Sequence, residues 1–489
     1  MKNKNIKIKN IILINIISLF FVAALYVNKN LASSNLESVI FYLITDMADS
    51  DPKTIYIALI ICLPIVILLS IALYAIFFDI TLGKYKNNIY PFKHFNKYRK
   101  IYLTLLLIIS FVLLLQSVKT IEYIIDLNSN SSIIKDNYIP AQKVNIEFPN
   151  NKRNLIIISV ESLENTLFTK QQGGIWEYEI IKELYDIRNA DNAITFNKNN
   201  GMYMLTGASY TTSSLIANAS GVPVKVGTYY NGYKKDHFMN GLYTLGDLLK
   251  DNNYNNEVIS GAKTSFGGLD NYYQQHGNYN ILDSNTLEKK GYKLSKDDYG
   301  AWGFNDNYLF NLAKKRLEVL SKKDEPFNLN LITIDTHFVD GYVGNYSETT
   351  YDKQYENAYA TTSKIINDFI NYLKEQPYYE NTTIVIVGDH LIMQSNFVND
   401  KMFDNRTIYF CILNSANKEY KEDRIFTALD TYPTIVSSLG GTIENEQLGL
   451  GVNLFSDKKT LAEKYGIKKL DKELKKKSKY YDKIILGEK

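Results

Sequence analysis

Cysteine is scarce in this 489-residue chain, which contains only two. Two thiols cannot build a disulfide framework, and these are not expected to meet: Cys62 lies inside an apolar run and Cys411 in the strand-like segment IYFCIL. No CxxC pair and no Cys/His zinc spacing occurs. Net charge is also small, because 55 basic residues oppose 52 acidic ones to leave +3. The two signs are mostly interspersed, which argues against nucleic acid as a partner. No internal repeat is visible. What is present is 45% hydrophobic residues with 39 Tyr and 23 Phe, which excludes a disordered or collagen-like chain. The length, about three times the common domain size, predicts more than one unit.

Three charge-free apolar runs, at 11–27, 54–78 and 101–118, are each near the roughly 20 residues that a bilayer core requires. Lys2, Lys4, Lys7 and Lys9 resemble the basic start of a cleaved signal peptide. No clean small-residue cleavage site follows and two further runs come after, so the first run is expected to stay as an anchor. The loop at 79–100 carries Lys84, Lys86, Lys93, Lys97, Arg99 and Lys100, whereas that at 28–53 has only Lys29 and Lys53 against four acidic residues. The positive-inside bias therefore places the N-terminus and the second loop in the cytoplasm, and three spans deliver the rest of the chain to the outer face. The element LESVIFYLITDMA at 36–48 is too short to span and is expected to lie flat at the outer interface. Residues 1–118 are thus read as a multi-pass anchor, the polar stretch 119–150 as a linker, and 151–489 as one large α/β domain.

In that domain NLIIISV (154–160), NLNLITI (328–334), TTIVIVG (382–388) and TIYFCIL (407–413) are nearly continuous β-branched and apolar runs, as strands buried on both faces require. The segments 306–323 and 355–376 have helical apolar spacing, so the pattern predicts a parallel-rich sheet sandwiched by helices. The basic tail KELKKKSKYYDK (472–483) is read as a solvated helix end, with anionic lipid headgroups as the sharper alternative.

Open α/β sheets gather ligands at the carboxyl ends of their strands. Here Glu161 follows the first run, Asp335, Thr336 and His337 the second, and Asp389 and His390 the third. A carboxylate from one strand and an Asp-His pair from another make a mixed oxygen and nitrogen site suited to Mn²⁺, Mg²⁺ or Zn²⁺. Group transfer at such a site also wants a nucleophile at a helix start. The segment GASYTTSSLIANASGVP (207–223) has that form, with Thr211 and Thr212 each readable as nucleophile or as helix cap.

Together these segments resemble the membrane-anchored phosphoglycerol and phosphoethanolamine transferases of the alkaline phosphatase/sulfatase superfamily. The similarity rests on ISVESLEN (158–165), GASYTTSSLIANASGVP, WGFND (302–306), LITIDTHFVDGY (331–342), GDHLIM (388–393) and LDTYPTIVSSLGG (429–441), which stand in the family's order. The resemblance implies an alkaline phosphatase/sulfatase-like α/β domain behind a transmembrane anchor in a bacterial cytoplasmic membrane. It implies Glu161, Thr211, Asp389 and His390 as ligands of a divalent metal, foremost Mn²⁺, with Thr211 as nucleophile and Thr212 its competitor. It places His337 at the substrate phosphate and Trp302 in the pocket.

A sulfatase would need a Cys or Ser in a C/S-x-P-x-R setting, and neither cysteine has one. Lipoteichoic acid synthases usually carry a His and a Trp-Asn-Arg cluster where this chain reads VISGAKTSFGGLDNYY (258–273), a loop in which Lys263 is the candidate phosphate or glycerol contact. The phosphoethanolamine branch usually has a Glu-Thr pair where this chain has Glu161-Ser162. The GASYT and GDHLIM contexts look most like the transferases that decorate periplasmic glucans with phosphoglycerol, and that resemblance implies a reaction moving phosphoglycerol from phosphatidylglycerol through a phospho-threonine to an envelope glycan. A phosphoethanolamine transferase, a lipoteichoic polymerase and a non-catalytic glycan or partner binder are the alternatives. His237 and His276 are expected to be plain surface or structural residues.

Overall fold

A computed structural model describes residues 2–30, 35–45, 52–78, 97–197, 201–227, 230–394, 397–398 and 406–488. Lys84, Lys86 and Lys93, used above for orientation, lie outside them. The chain divides into two compact units, one holding the apolar helices and the other the α/β fold.

In the first unit, the helices Lys2–Asn30, Pro52–Phe77 and Arg99–Ser117 contain three segments long and apolar enough to cross a membrane, Ile8–Asn30, Tyr56–Phe77 and Arg99–Ser117. Ile14, Ile17, Phe77 and Leu103 pack together between them, while Ile60 and Leu68 point outward. An apolar exterior of this kind suits hydrocarbon, where only a helix satisfies its own backbone groups.

The second unit is built on a seven-stranded sheet. Its order is Ala193–Ile194, Phe410–Leu413, Thr382–Gly388, Asn154–Val160, Phe327–Ile332, Asn255–Ser260 and Asn280–Leu282. The five strands from Thr382–Gly388 onward run parallel; at one edge Phe410–Leu413 pairs antiparallel with Thr382–Gly388, and Ala193–Ile194 pairs antiparallel with Phe410–Leu413. Successive residues alternate between two cores: Leu155, Ile157, Val385 and Val387 lie in one, Ile156, Ile158, Ile384 and Ile386 in the other. The second core is closed by the helices Asp306–Leu320 and Gln354–Lys374, through Leu309, Leu317, Ile366 and Phe369. The predicted α/β class is what the structure shows. The fourth apolar run is a strand over Phe410–Leu413, but antiparallel.

Two segments differ from their sequence reading. The stretch 119–150 carries the helices Thr120–Asn128 and Ile133–Asn137 and a strand, Ile146–Glu147, that pairs with Thr442–Ile443; Ile133, Ile134, Tyr138 and Ala141 are buried in the first core. The short apolar element is a helix, Leu36–Thr45, with one side against protein: Phe41 is fully buried against Tyr210, Tyr233 and Phe238, while Val39 and Leu43 are exposed. Its Glu37 accepts a 2.6 Å hydrogen bond from the Val226 N–H. The basic tail folds into the helices Ile467–Lys475 and Lys479–Ile484, which bury Leu470, Leu474 and Tyr481.

Candidate active site

The central strand Asn154–Val160 ends in a turn whose side chains and backbone converge on one spot. Ser162 takes a left-handed conformation at φ 53, a costly choice for a residue with a Cβ. That geometry lets its N–H donate to Asp389 Oδ1 at 2.7 Å and its hydroxyl donate to Glu161 Oε1 at 2.6 Å. The Thr336 hydroxyl donates to the Glu161 carbonyl at 2.6 Å, tying in the turn that leads to His337. On the neighbouring strand Gly388 is required by close approach, since a Cβ there would lie 1.9 Å from the Leu163 carbonyl oxygen. Three residues further along the first turn, buried Glu164 accepts from the Ile392 N–H at 2.7 Å and pairs with buried Arg406, whose Nε stands 2.9 Å from its Oε1. The two strand ends are thereby held as one piece.

Glu161, Asp389 and His390 are almost wholly buried, and one ligand atom from each lies within 4.8 Å of the others. His390 Nδ1 is 2.9 Å from the Leu391 carbonyl, so it carries the proton and Nε2 faces the carboxylates, 3.5 Å from Glu161 Oε1 and 3.6 Å from Asp389 Oδ2. Asp389 Oδ2 is buried and makes no well-formed hydrogen bond among the described residues, although the Thr211 hydroxyl is near enough to weigh on the carboxylate's pKa. Burial, and then the charge of Glu161, push Asp389 up to about 6. Burial depresses His390, but the Asp389 and Glu161 charges outweigh it and leave the imidazole above its ordinary pKa. Two crowded carboxylates, one with an orphaned oxygen, and an imidazole lone pair aimed at them fit a divalent cation.

Thr211 is the first residue of the helix Thr211–Ser220 and is partly exposed, with its hydroxyl 3.3 Å from Glu161 Oε2. Thr212 is buried beside Gly267. The geometry thus brings Thr211 to the cluster. His337 Nδ1 donates to the Phe338 carbonyl at 2.6 Å, which fixes the tautomer of the neutral ring. Its ring lies 4.6 Å from that of Trp302, which lies 5.4 Å from Phe266.

The sulfatase family matches residues 153–441, more than half of the chain and all of the elements just described. The chain belongs to the sulfatase family. It is 28% identical over 316 residues to phosphoglycerol transferase I of Escherichia fergusonii, covering 62% of this chain and 39% of that one. This sulfatase-family chain therefore spans about two-fifths of the length of the curated relatives it matches. Among solved structures it resembles lipooligosaccharide phosphoethanolamine transferase A of Neisseria meningitidis, with 14% identity and a TM-score of 0.49, over 88% of this chain and 84% of that one. It also resembles the lipoteichoic acid synthase LtaP of Listeria monocytogenes, with 18% identity and a TM-score of 0.48, over 67% of this chain and 81% of that one.

Lys263 lies in the same loop as Phe266, its carbonyl accepting from the Phe266 N–H at 3.2 Å. His276 is structural in this family member: buried, with Nε2 2.8 Å from the Phe238 carbonyl and Nδ1 3.2 Å from Asp247. His237 is exposed beside Asn240. Residues not singled out by sequence also build the site. Ser162 had a signal in standing directly after Glu161, whereas Phe266 and Tyr42 had none beyond being aromatic.

Behind His337, a second carboxylate pair fixes the WGFND loop to the strand end. Asp306 Oδ1 accepts from the Ile334 N–H at 2.8 Å, and Asp335 Oδ2 accepts from the Asp306 N–H at 3.0 Å and from the Tyr346 hydroxyl. Both are buried. Burial raises Asp306 to about 6, and burial with the Asp306 charge holds Asp335 well above its ordinary range. A carboxyl whose folded pKa is raised contributes stability that is fully present below its unfolded pKa and is lost as pH rises through the folded value. The loss should therefore begin near pH 4 and continue past pH 6. Asp335→Asn keeps an acceptor for the Asp306 N–H, gives the orphaned Oδ1 position a donor, and removes one charge. Thermal melts from pH 5 to 8 should show a flatter decline for this variant, by on the order of 1–3 kcal/mol across the range. An unchanged slope would mean that the pair does not share a proton.

Proposed function

We propose that this protein is a divalent-metal-dependent transferase that moves phosphoglycerol from phosphatidylglycerol to an envelope glycan by way of Thr211. The observation that carries this reading is a threonine hydroxyl at a helix N-terminus, 3.3 Å from a carboxylate that shares a buried cluster with Asp389 and His390. The 28% identity to phosphoglycerol transferase I supports the choice of group. Glu161, Asp389, His390 and Thr211 would hold the cation, Mn²⁺ foremost, with Mg²⁺ or Zn²⁺ also compatible with the donor set. When bound, it supplies positive charge that favours the threonine alkoxide and the phosphoryl oxygens.

The chain's own groups then divide the work. The first N–H groups of the helix Thr211–Ser220 face an anion approaching Thr211 and favour the charge it brings. In the first step the Thr211 Oγ–phosphorus bond forms as the bond from phosphorus to the diacylglycerol oxygen breaks. The Thr211 proton leaves to water, and His337 Nε2 protonates the departing oxygen. In the second step a glycan hydroxyl loses its proton to His337 Nε2 as its oxygen bonds to phosphorus and the Thr211 Oγ–phosphorus bond breaks, and Thr211 regains a proton from water. Trp302, set against the His337 ring, holds the imidazole in place. The lysine distribution supports an α/β unit on the outer side of the cytoplasmic membrane, where an anchored enzyme meets a lipid donor at high local concentration.

The test is to incubate the Mn²⁺-loaded protein with phosphatidylglycerol and read the Thr211 peptide by mass spectrometry. A glycerophosphate adduct with released diacylglycerol is expected. If phosphatidylethanolamine, run in parallel, leaves the adduct instead, the headgroup assignment is wrong. If neither lipid does so with metal bound, the transferase reading fails.

A further inference from the structure

The short helix Leu36–Thr45 stands in the sequence between two membrane-type helices, yet it is an integral part of the α/β unit. Phe41 and Glu37 anchor it, as described above. The next residue, Tyr42, is then delivered to the catalytic cluster. Its ring stacks on Phe266 at 4.8 Å and 21°, and tilts against Tyr210 at 5.3 Å. Tyr210 is the residue immediately before Thr211. Tyr42, Phe266, Trp302 and His337 thus form a continuous aromatic row with centroid spacings of 4.8, 5.4 and 4.6 Å.

Room for the tyrosine is built into the opposing loop. Gly267 has φ 66, and a Cβ there would meet Thr212 Oγ1 at 2.6 Å and Tyr42 Cε1 at 3.1 Å. The ring edge of Tyr42 and the first turn of the nucleophile's helix therefore flank the same glycine. A phenol hydroxyl is an ordinary hydrogen-bond donor at neutral pH.

We propose that Tyr42, carried by the helix between the first two apolar segments, is a substrate-facing residue whose hydroxyl donates a hydrogen bond to a non-ester oxygen of the phosphoryl group poised at Thr211. This deepens the transferase reading and rests on it for the identity of the donor. A phenol whose ring packs on Tyr210, the residue before Thr211, has one proton to give, and the acceptor brought to Thr211 is an anionic phosphoryl oxygen. The membrane-linked segment thereby contributes a wall and a donor to the site in which the α/β fold supplies the nucleophile.

The experiment compares the full-length Mn²⁺-loaded protein with Tyr42→Phe and Tyr42→Ala. Phe keeps the stack on Phe266 and removes only the hydroxyl, whereas Ala removes both. Metal content, binding of inorganic phosphate and of glycerol phosphate by calorimetry, and diacylglycerol release from phosphatidylglycerol are read in each. Tyr42→Phe should bind metal like the parent, weaken phosphate and glycerol phosphate roughly tenfold, and lower kcat/KM by roughly 10- to 100-fold, as expected for a lost hydrogen bond to a charged group. Binding of both anions within twofold of the parent would overturn the proposal, as would a parent protein that binds neither. If the parent releases no diacylglycerol but Tyr42→Phe still weakens anion binding, the donor assignment fails and the role of Tyr42 stands.

Discussion

Thr211→Ala is expected to abolish the covalent adduct and to slow transfer on the order of 10,000-fold or more while metal stays bound, because the atom that forms the new bond to phosphorus is gone. The substitution should not cost stability. Thr211 is the first residue of its helix, and the cap is provided one residue earlier, where the Tyr210 N–H donates to Ser213 Oγ at 3.2 Å. Alanine is also the better helix former at that place. Thr211→Ser should retain part of the activity, since it keeps a hydroxyl 3.3 Å from Glu161 in the same register. Thr212→Ala is the control that decides between the paired threonines. Its hydroxyl lies buried beside Gly267, so its loss should reduce turnover only through packing, by less than about tenfold. An adduct that persists in Thr211→Ala and maps to Thr212 would reverse the assignment.

That a single hydroxyl can be picked out reflects how directly this site is written in strand-end residues. The runs 154–160 and 382–388 consist of apolar and β-branched residues because both faces of those strands are buried, and their ends are consequently sharp in the sequence. Glu161, Asp389 and His390 fall immediately after those ends, and the parallel register of Val160 with Gly388 places them side by side. Other parts were hidden for identifiable reasons. The strand Asn255–Ser260 is buried but polar in sequence. Asn256 donates to the Gly246 and Gly277 carbonyls and Glu257 receives a bidentate pair from Arg316, so its polarity is satisfied by partners far along the chain. Residues 119–150 read as linker because of their Asn, Ser and Lys content and two prolines, among which the apolar residues that turn out buried, such as Ile133, Ile134 and Tyr138, show no clear period. The helix Leu36–Thr45 had the composition of an interfacial segment. Hydropathy cannot tell a lipid surface from a cleft lined by Tyr210, Tyr233 and Phe238, and only the fold shows which one Phe41 meets.

Asp389→Asn should separate what the cluster does for metal from what it does for the fold. Asp389 Oδ1 accepts from two backbone donors, Ser162 N–H and His390 N–H, both at 2.7 Å, and an asparagine carbonyl can do the same. The change therefore falls on Oδ2, the buried oxygen without a well-formed bond, which becomes an amide that cannot ligate a cation. In the metal-free protein the native carboxylate is disfavoured by burial and by Glu161, which is why its pKa rises to about 6. Above that pH the variant is relieved of a buried like-charge contact. Its metal-free melting temperature at pH 8 should equal or exceed that of the parent, by up to a few degrees for ~1 kcal/mol. With Mn²⁺ the order should invert. The parent gains stability by mass action, about 2.7 kcal/mol at a hundredfold excess over Kd, while the variant gains little, and its transfer activity falls by at least about a thousandfold. A variant that melts lower without metal would mean that Oδ2 has a structural partner. One that keeps the full metal-induced shift would place the cation on other groups.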